Sequence, residues 1–538
     1  MPSTVEVMAQ AFKDAGTPFI VGHPGGESVE LMEASHRLGM RFILVKQESA
    51  GAMLAATWGD LTGSPGVCLS TRAPGAANMV NGVTHAWMDR SPLIAITDQY
   101  GPATYATGLR QRLDQLSLYD SVTKWNATVS ARTVRHTLRR AMRVATAPPP
   151  GPVQLDLPST ETLQEAADLP ADVPLLPELA TLRPDRASLK PVLEMLGRAR
   201  RPIILAGLGV LWERASTGVV ALAEHLGAPV LTTTKAKGLM SEDHPLRAGA
   251  MIGGLIEREI ISQSDLIVAV GLDAVELQPK PWPYSAPVLA LNSVQSTDAL
   301  VPASPELVGK IGPMLASLVE FAPSGSGWGE AAARSYRQQL ADALNVPSTG
   351  SGLVPSRLVE IAREILPRET VASCDAGASR LLVVQKWESY GPREFLTSNG
   401  LATMGYAIPG GMAAKLAHPQ RPVVCFTGDG GFLMAVAELH TAVREKLPII
   451  VVVFDDQEIG LIRVKQEIKG MEPYGIELGG IDWEHIAKGV GADGITVETD
   501  NALSDALSSA VRSERPVVIG ARIDKSGYVA QFNALREL

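Results

Sequence analysis

An apolar run that ends in small and acidic residues is the strongest chemical signal in the chain. The segment VVCFTGDGGFLMAVAEL, residues 423–439, passes into Gly428, Asp429, Gly430 and Gly431 and then into a helical pattern. Glycines at such a strand-to-helix turn let a phosphate approach the backbone, and a helix N-terminus favours an anion. Because the carboxylate would repel a bare phosphate, we expect a divalent cation between them. A tight turn with a capping aspartate would give the same pattern.

A second acidic group follows the next apolar run along the chain. Residues 447–460, LPIIVVVFDDQEIG, contain Asp455, Asp456 and Glu458. Parallel strands end at the same edge of a sheet, which is where open α/β sheets bind ligands. We therefore expect Asp429 and Asp456 to meet at one metal ion, with an ordinary acidic loop as the alternative.

The elements that would position these residues are short apolar runs alternating with amphipathic stretches. The runs are FIVG, GVCLST, LIAITD, VQLDLP, PIILAG, LIVAVG, VLALN, VVCFTGDG, IIVVVFDD and VVIGARI. Continuously apolar strands of this length between helices are typical of parallel sheets covered on both faces. The pattern predicts an α/β fold of doubly wound parallel sheets, with helices over 302–322 and 431–447.

The length of 538 residues predicts about three domains. Residues 160–187 are rich in proline and acidic side chains, and residues 322–355 are rich in glycine, serine and proline. Both stretches are typical of linkers. They divide the chain into predicted domains over 1–165, 185–322 and 352–538, each large enough for its own core.

Charge and composition exclude several classes of protein. The chain has 48 Lys and Arg against 57 Asp and Glu, a net charge of −9, so no nucleic-acid partner is expected. Cys68, Cys374 and Cys425 show no metal-binding spacing and are interpreted as buried thiols. No apolar run approaches the ~20 residues that span a bilayer, and the N-terminus lacks a signal-peptide pattern. We expect a cytoplasmic protein without a membrane partner.

The two acidic groups resemble the thiamine diphosphate signature of the acetolactate synthase-like superfamily. In that family the GDG aspartate, a second side chain some 27 residues later and a backbone carbonyl two residues further on hold Mg²⁺ on the cofactor diphosphate. The resemblance assigns these places to Asp429, Asp456 and Glu458, with Asp456 where asparagine is usual. It implies further cofactor-binding residues at Gly428, Gly430, Gly431, Gly460, Leu461 and Ile462.

The resemblance extends over the whole chain. VGHPGGESVELMEA resembles the family's first glycine turn, with His23 and Gly25. The segment from VKQESAG to PGAANMVNGV resembles the one that carries the catalytic glutamate, here Glu48, and a turn from Pro74 to Asn78. In this turn Arg72-Ala73 replaces the usual Ser-Gly. RQRLDQLSLYD places Gln111 in the active-site glutamine loop, and LTSNGLATMGYAIPGG supplies Asn399, Gly400 and Met404 beside the pyrimidine ring.

The resemblance implies a mechanism and an assembly. A glutamate hydrogen-bonded to the pyrimidine ring favours the tautomer that deprotonates the thiazolium carbon, and the Met404 wedge holds the two rings close. The three domains become pyrimidine-binding, central and diphosphate-binding. The active unit is then a homodimer or homotetramer with active sites between subunits.

The central segment disfavours FAD. Gly207-x-Gly209 after an apolar run is a weak nucleotide signal. Where FAD-dependent acetolactate synthases have an arginine-rich stretch, this chain has GLDAVEL from Gly271. That stretch is similar to those of FAD-independent catabolic enzymes and of carboxyethylarginine synthase.

The histidines favour a carboligase. Pyruvate decarboxylase-like members carry a tandem His-His pair, which is missing here. His23 is the candidate catalytic histidine, and His85 is interpreted as a packing residue. We expect a decarboxylating carboligase of 2-keto acids with pyruvate as donor. The alternatives are a 2-hydroxyacyl- or oxalyl-type lyase, a simple 2-keto acid decarboxylase, and a non-catalytic cofactor-binding paralogue, which would not need Glu48.

Overall fold

Three six-stranded parallel sheets follow one another along the chain. The computed structural model describes residues 1–167, 175, 181–296, 300–325, 327–347 and 349–536. The first sheet contains β1 (Phe19–His23), β2 (Arg41–Leu44), β3 (Gly66–Ser70), β4 (Leu93–Gln99), β5 (Trp125–Thr128) and β6 (Pro152–Pro158). The second contains β7 (Pro202–Ala206), β8 (Val230–Thr232), β9 (Arg247–Ala250), β10 (Leu266–Val270), β11 (Val288–Asn292) and β12 (Ala303–Val308). The third contains β13 (Val371–Cys374), β14 (Phe395–Thr397), β15 (Val423–Gly428), β16 (Ile450–Asp455), β17 (Asp493–Val497) and β18 (Val517–Arg522).

Helices cover the faces of the sheets. Those of the first domain are α1 (Thr4–Asp14), α2 (Val29–Arg37), α3 (Glu48–Thr62), α4 (Pro74–Met88), α5 (Pro102–Thr107), α6 (Gln115–Asp120) and α7 (Val134–Thr146). The central helices are α8 (Lys190–Arg198), α9 (Leu208–Trp212), α10 (Ser216–Leu226), α11 (Leu255–Ser262), α12 (Ile311–Phe321) and α13 (Gly329–Leu344). The third domain has α14 (Pro355–Ile365), α15 (Ala378–Lys386), α16 (Ala407–Ala417), α17 (Asp429–Arg444), α18 (Gly460–Ile468), α19 (Trp483–Gly489), α20 (Asp500–Ala510) and α21 (Tyr528–Leu535).

The first and third sheets share one strand order. They run β2-β1-β3-β4-β6-β5 and β14-β13-β15-β16-β18-β17, which is the same order when each set is counted from its own first strand. The second sheet runs β12-β11-β10-β7-β8-β9, the doubly wound dinucleotide-binding order. The doubly wound α/β fold is therefore confirmed for all three sheets. They lie inside the predicted ranges 1–165, 185–322 and 352–538, whose exact boundaries stay predictions.

Strand register sets the edge at which the acidic residues lie. Gly428 of β15 pairs with Phe454 of β16, so the two chains leave the sheet side by side. All six residues of β16 are buried, as expected for a strand covered on both faces. Asp429 and Asp456 therefore emerge at neighbouring positions on the carboxyl edge of the third sheet.

Two expectations about elements were wrong in part. The predicted helix over 302–322 is an edge strand, β12, followed by helix α12. The predicted linker over 322–355 contains helix α13, which buries Ala333, Tyr336, Leu340 and Leu344 at helical spacing. The predicted linker over 160–187 lies partly outside the described residues.

The expectation for the cysteines agrees with the structure. The three cysteines are buried free thiols. Within the described ranges, the helices are all too short or too polar to cross a membrane.

Candidate active site

Asp429 begins helix α17 at the carboxyl edge of the third sheet. Its Oδ1 accepts the Gly430 N–H at 2.7 Å, and the side chain is almost fully buried. Its Oδ2 is also buried and accepts no hydrogen bond from the residues that the structure describes. A buried carboxylate oxygen without a partner is unfavourable, so this atom fits a metal ligand.

Asp456 lies close enough to Asp429 for the two carboxylates to repel each other. Burial raises the pKa of Asp429 to about 6. Burial, with the charges of Asp429 and Glu458, raises the pKa of Asp456 to about 8. A cation between them would remove this repulsion. Among the described residues no three His, Cys, Asp or Glu side chains converge, so the protein offers two carboxylates and leaves the other ligand positions open.

The Glu458 side chain is bound by two cations of its own domain. Its carboxylate accepts from Arg463 at 3.0 Å and from Lys525 at 2.7 Å. The backbone carbonyl of Glu458, the atom that the resemblance assigns, accepts the Gly460 amide at 3.0 Å and keeps a second lone pair for a metal ion. Lys525 also donates to the carbonyl of Asp456 at 3.3 Å. No pattern in the sequence points to Lys525, which lies 67 residues away from Glu458.

Because Gly430 has no side chain, a small space, called the cradle below, lies beside Asp429 and Asp456. A Cβ at this position would lie 3.0 Å from Ile459 Cδ1, 3.2 Å from Met404 Cε and 3.4 Å from Leu478 Cδ1. The three side chains form an apolar wall around the first turn of α17. An apolar wall next to two buried carboxylates fits a cofactor that has a ring at one end and a diphosphate at the other.

The remaining predicted residues of this edge differ in their surroundings. Gly460 lies against Asp456, whose Oδ2 would be 2.4 Å from an added Cβ. Leu461 packs against the core, and Ile462 is 42% exposed. Gly428 has open space where a side chain would be.

Asp375 fixes the loop that carries Met404, although sequence reasoning missed it. Its carboxylate accepts the amides of Gly405 at 3.1 Å and Tyr406 at 2.8 Å, and the Thr427 hydroxyl at 2.8 Å. Burial raises the pKa of Asp375 to about 6. The signal was present, because Asp375 directly follows β13 as Asp429 follows the end of β15.

Asn399 and Gly400 are held by a residue of the first domain. Their amides donate to Asp89 Oδ1 at 2.8 and 3.3 Å. The Asn399 side chain accepts from Arg380. A Cβ at Gly400 would lie 2.3 Å from the Met88 carbonyl oxygen, so only glycine permits this approach between the domains.

Glu48 is the first residue of helix α3 and is 8% exposed. Its Oε2 accepts from the Asn78 side chain at 3.2 Å. A Cβ at Gly75 would lie 3.1 Å from its Oε1. Pro74 opens helix α4, where its missing N–H costs nothing. The structure therefore brings Glu48 together with the turn from Pro74 to Asn78.

The turn before Glu48 is fixed by helix α17. Lys46 and Gln47 donate their amides to Glu438 Oε1 at 2.8 and 2.9 Å, and Thr441 donates to its Oε2 at 2.8 Å. Glu438 is buried, and no spacing in the sequence singled it out. The helix that begins with Asp429 therefore also orients the start of α3.

His23 lies at the exposed end of β1. Its Nδ1 lies 3.0 Å from the Val45 carbonyl oxygen. Because a carbonyl only accepts, Nδ1 carries a proton and donates it to this oxygen. A Cβ added at Gly25, two residues further along, would lie only 2.4 Å from Thr71 Oγ1.

Gln111 lies on the exposed segment between α5 and α6, with a φ of 54°. The Tyr100 hydroxyl donates to the carbonyl of the preceding residue, Arg110, at 2.8 Å. Arg72 pairs with Glu27 and lies over the Tyr100 ring at 3.9 Å. One polar cluster at the edge of the first sheet thus contains the segment of Gln111, the turn that carries Glu27, and the side chain of Arg72.

Met404 also lines a groove of about 560 Å³ between α3 and α17. Gln47, Met53, Asn81, Met434 and Glu438 are among its other walls. Neither Glu48 nor Asp429 lines this groove.

A crevice in the central domain lies where a doubly wound sheet binds nucleotides. It has a volume of about 210 Å³ and is lined by Gly209, Gly271 and Asp273. The amide of Leu208, at the start of α9, donates to Glu276 Oε2 at 2.8 Å. The protein's own carboxyl group thus takes the first amide of α9, and that FAD is not a cofactor stays a prediction.

Three family models match successive parts of the chain. Residues 2–118 match the N-terminal binding domain of thiamine pyrophosphate (thiamine diphosphate) enzymes, residues 189–318 their central domain, and residues 375–521 their C-terminal binding domain. The chain belongs to the thiamine pyrophosphate-dependent, acetolactate synthase-like superfamily.

Curated relatives of this thiamine pyrophosphate enzyme match it along nearly its whole length. A probable acetolactate synthase large subunit from Methanococcus aeolicus is 28% identical, covering 97% of this chain and 92% of the relative. The acetolactate synthase isozyme 2 large subunit of Escherichia coli is 28% identical, with coverages of 96% and 95%. Among solved structures, a 4-hydroxybenzoylformate decarboxylase from Rhodococcus jostii superposes with a TM-score of 0.84 at 23% identity, covering 97% of this chain and 99% of that one. This last likeness shows the shared fold.

Proposed function

We propose that this thiamine diphosphate-dependent enzyme decarboxylates a 2-keto acid, with pyruvate as donor, and joins the remaining fragment to a second carbonyl compound. The observation that carries the proposal is the setting of Glu48. Glu48 is buried, and its Oε2 accepts a hydrogen bond from Asn78. Its Oε1 faces the space that a side chain at Gly75 would fill. A protein that only binds the cofactor has no need of a carboxylate kept in this way.

The diphosphate end of the cofactor would be held by Mg²⁺ on Asp429, Asp456 and the carbonyl of Glu458. Gly430 lets it approach α17, and Met404 provides the apolar wedge. The bound cofactor supplies a nucleophilic carbon and an electron sink for the carbanion that decarboxylation leaves.

Glu48 would hold a proton on the pyrimidine ring through Oε1, while Asn78 fixes its Oε2. Burial strengthens this hydrogen bond because water does not compete for the carboxylate. Glu438 keeps the backbone of the preceding turn in place, so that Glu48 needs little reorganisation when the cofactor binds.

The complete site would form between two subunits of a homodimer or homotetramer. Within one chain, Met404 and Asp429 lie on the third domain, and the helix that starts at Glu48 is on the first. Around the start of α17, Leu433 is 39% and Met434 62% exposed. Apolar side chains exposed beside a binding site fit a surface that a second copy covers.

A second candidate, a simple 2-keto acid decarboxylase, is favoured by His23. With Nδ1 bound to the Val45 carbonyl, its Nε2 would take up a proton and deliver it to the carbanion, which would release an aldehyde instead of a coupled product. The two candidates share the loss of CO₂ and differ in whether the carbanion is then protonated or joined to a second carbonyl.

The test is a panel of 2-keto acids incubated with protein, thiamine diphosphate and Mg²⁺. We expect CO₂ from pyruvate and a coupled product detected by mass spectrometry. Glu48→Gln should bind the cofactor but lose more than about 100-fold in turnover, as expected when a proton-handling group is removed. Glu33→Gln, on the exposed face of α2, is the matched control and should keep full activity.

No CO₂ from any 2-keto acid, or unchanged turnover in Glu48→Gln, would overturn the proposal. CO₂ with an aldehyde as the sole product would select the decarboxylase instead, and His23→Ala should then abolish aldehyde release.

A further inference from the structure

A buried lysine joins the central domain to the first domain, directly beside the loop that carries Met404. Lys235 follows β8 and is 7% exposed. Its Nζ lies 3.5 Å from a carboxylate oxygen of Asp60 and 3.5 Å from Asp89 Oδ1, and it donates to the Asp89 carbonyl at 2.9 Å. Both aspartates belong to the first domain, so the lysine bridges two domains.

Asp89 also binds residues of the third domain. Its Oδ1 accepts the amides of Asn399 and Gly400, and its Oδ2 accepts the Ser398 hydroxyl at 3.2 Å. Ser398 Oγ in turn accepts the amide of Thr403 at 3.4 Å. One carboxylate therefore ties both ends of the 398–403 loop, directly before Met404.

The charge of Lys235 keeps this carboxylate ionised. Burial by itself would raise the pKa of Asp89, but Lys235 and His85, whose Nδ1 lies 3.0 Å away, hold it well below its usual value. Burial would lower the pKa of Lys235, but Asp89 and Asp60 raise it. Arg393 also lies at this junction and pairs with Asp60 at 3.2 Å. Arg380 interacts electrostatically with Asp89 and donates to the Ser398 carbonyl at 3.5 Å.

Removing Lys235 would therefore leave Asp89 buried without its main counter-charge. Breaking a buried pair from one side is strongly unfavourable. Asp89 would then take up a proton or turn away, and either change weakens the acceptors that the loop amides use.

We propose that Lys235 and Asp89 are positioning residues, through which the central domain sets the conformation of the 398–404 loop and thereby the affinity for the cofactor. The inference rests on the proposed function, which places Met404 against thiamine diphosphate. Neither residue touches the reacting atoms.

The experiment compares Lys235→Met with Lys237→Met in the full-length chain. Lys237 is a matched control, because it is also buried and its ion pair, at 2.8 Å from Glu242, lies away from the 398–404 loop. For each variant we would measure the Kd for thiamine diphosphate with Mg²⁺ by calorimetry, the melting temperature without cofactor, and kcat and KM.

Lys235→Met should raise the Kd for thiamine diphosphate at least tenfold and leave the KM for the 2-keto acid within about threefold. Lys237→Met should lower the melting temperature to a similar extent but leave the Kd within about twofold. Asp89→Asn combined with Lys235→Met restores neutrality and keeps an amide acceptor, so the double variant should bind the cofactor better than Lys235→Met alone.

A wild-type Kd in Lys235→Met, or an equal rise in Kd in Lys237→Met, would overturn the inference. If Lys235→Met does not fold, the double variant decides, and a Kd at least about tenfold above that of Asp89→Asn alone would show that Lys235 acts independently of Asp89 and would contradict the coupling. Failure of the unmodified protein to bind thiamine diphosphate would instead refute the proposed function itself.

Discussion

Asp455 and Asp456 are consecutive in the chain, but their surroundings give the two side chains different roles. Asp455 Oδ2 accepts the Trp483 indole N–H at 2.8 Å and pairs with Arg522 at 3.1 Å. Asp456 instead lies against Asp429, and burial together with that charge raises its pKa to about 8. The Asp455 carboxylate therefore stabilises the fold, whereas the Asp456 carboxylate fits a metal ligand.

Replacing each with asparagine should therefore have opposite effects. In Asp456→Asn we expect a higher melting temperature without metal, because repulsion with Asp429 disappears, and an Mg²⁺ affinity reduced about tenfold, or ~1.4 kcal/mol. In Asp455→Asn, loss of the pair with Arg522 should lower the melting temperature. Differential scanning calorimetry and an Mg²⁺ titration in the presence of thiamine diphosphate measure both quantities.

A lower melting temperature in both variants would show that Asp456 is a structural residue like its neighbour. Unchanged Mg²⁺ affinity in Asp456→Ala, which removes both ligand oxygens, would exclude the residue from the metal site.

At the scale of elements, α17 serves two sites along its length. It begins with Asp429 on the carboxyl edge of the third sheet, and further along the helix Glu438 fixes the turn before Glu48. The glycines of its first turn differ in what surrounds them. A Cβ at Gly430 meets flexible side-chain tips, whereas one at Gly431 would lie 2.3 Å from Asp375 Oδ2 and 2.7 Å from Thr427 Oγ1.

Alanine at these two positions should separate folding from binding. Gly431→Ala pushes on a buried hydrogen-bonded pair that cannot move, and we expect it to destabilise the protein by about 1–3 kcal/mol. Gly430→Ala should fold with nearly unchanged stability but bind thiamine diphosphate more weakly, because the added methyl enters the cradle. Urea unfolding and calorimetry check the two effects, and equal stability of the two variants would contradict the packing described for α17.

The sequence predicted the elements that carry a strong local pattern and missed those that do not. All ten apolar runs coincide with strands, because parallel strands covered on both faces are mostly apolar. Short or edge strands such as β8, β9 and β14 have little pattern of their own and form through pairing. The strand β12 was mistaken for helix because a half-buried edge strand resembles one face of a helix.

Site residues also divide into those that a local sequence pattern indicates and those that it does not. The meeting of Asp429 and Asp456 at one sheet edge could be predicted, because each follows a recognisable strand. Glu438, Asp89 and Lys235 could not, since their roles depend on partners in other domains. Glu438 binds amides 391 and 392 residues away, for example. The family resemblance supplied Glu48, whose local sequence is ordinary.

At the scale of the whole molecule, the first and third domains are built alike, and each carries one of the two carboxylates that we propose act on the cofactor. Their sheets have the same strand order, with Glu48 on one and Asp429 on the other. The groove lined by Met404 lies between α3 and α17 without either carboxylate. Assembly of two copies would supply both halves to one cofactor.

Complementation between two inactive variants is the sharpest test of a cofactor shared between subunits. Glu48→Gln and Asp429→Asn, carrying different affinity tags, would be produced together and the mixed oligomer isolated through both tags. A mixed dimer then contains one site with both carboxylates intact and one with neither. We expect each variant alone to release almost no CO₂ from the 2-keto acid that the unmodified enzyme uses, and the mixed dimer to recover close to half of the unmodified rate. A mixed dimer that forms but stays as inactive as the two parents would contradict the assignment of Glu48 and Asp429 to one shared cofactor between subunits.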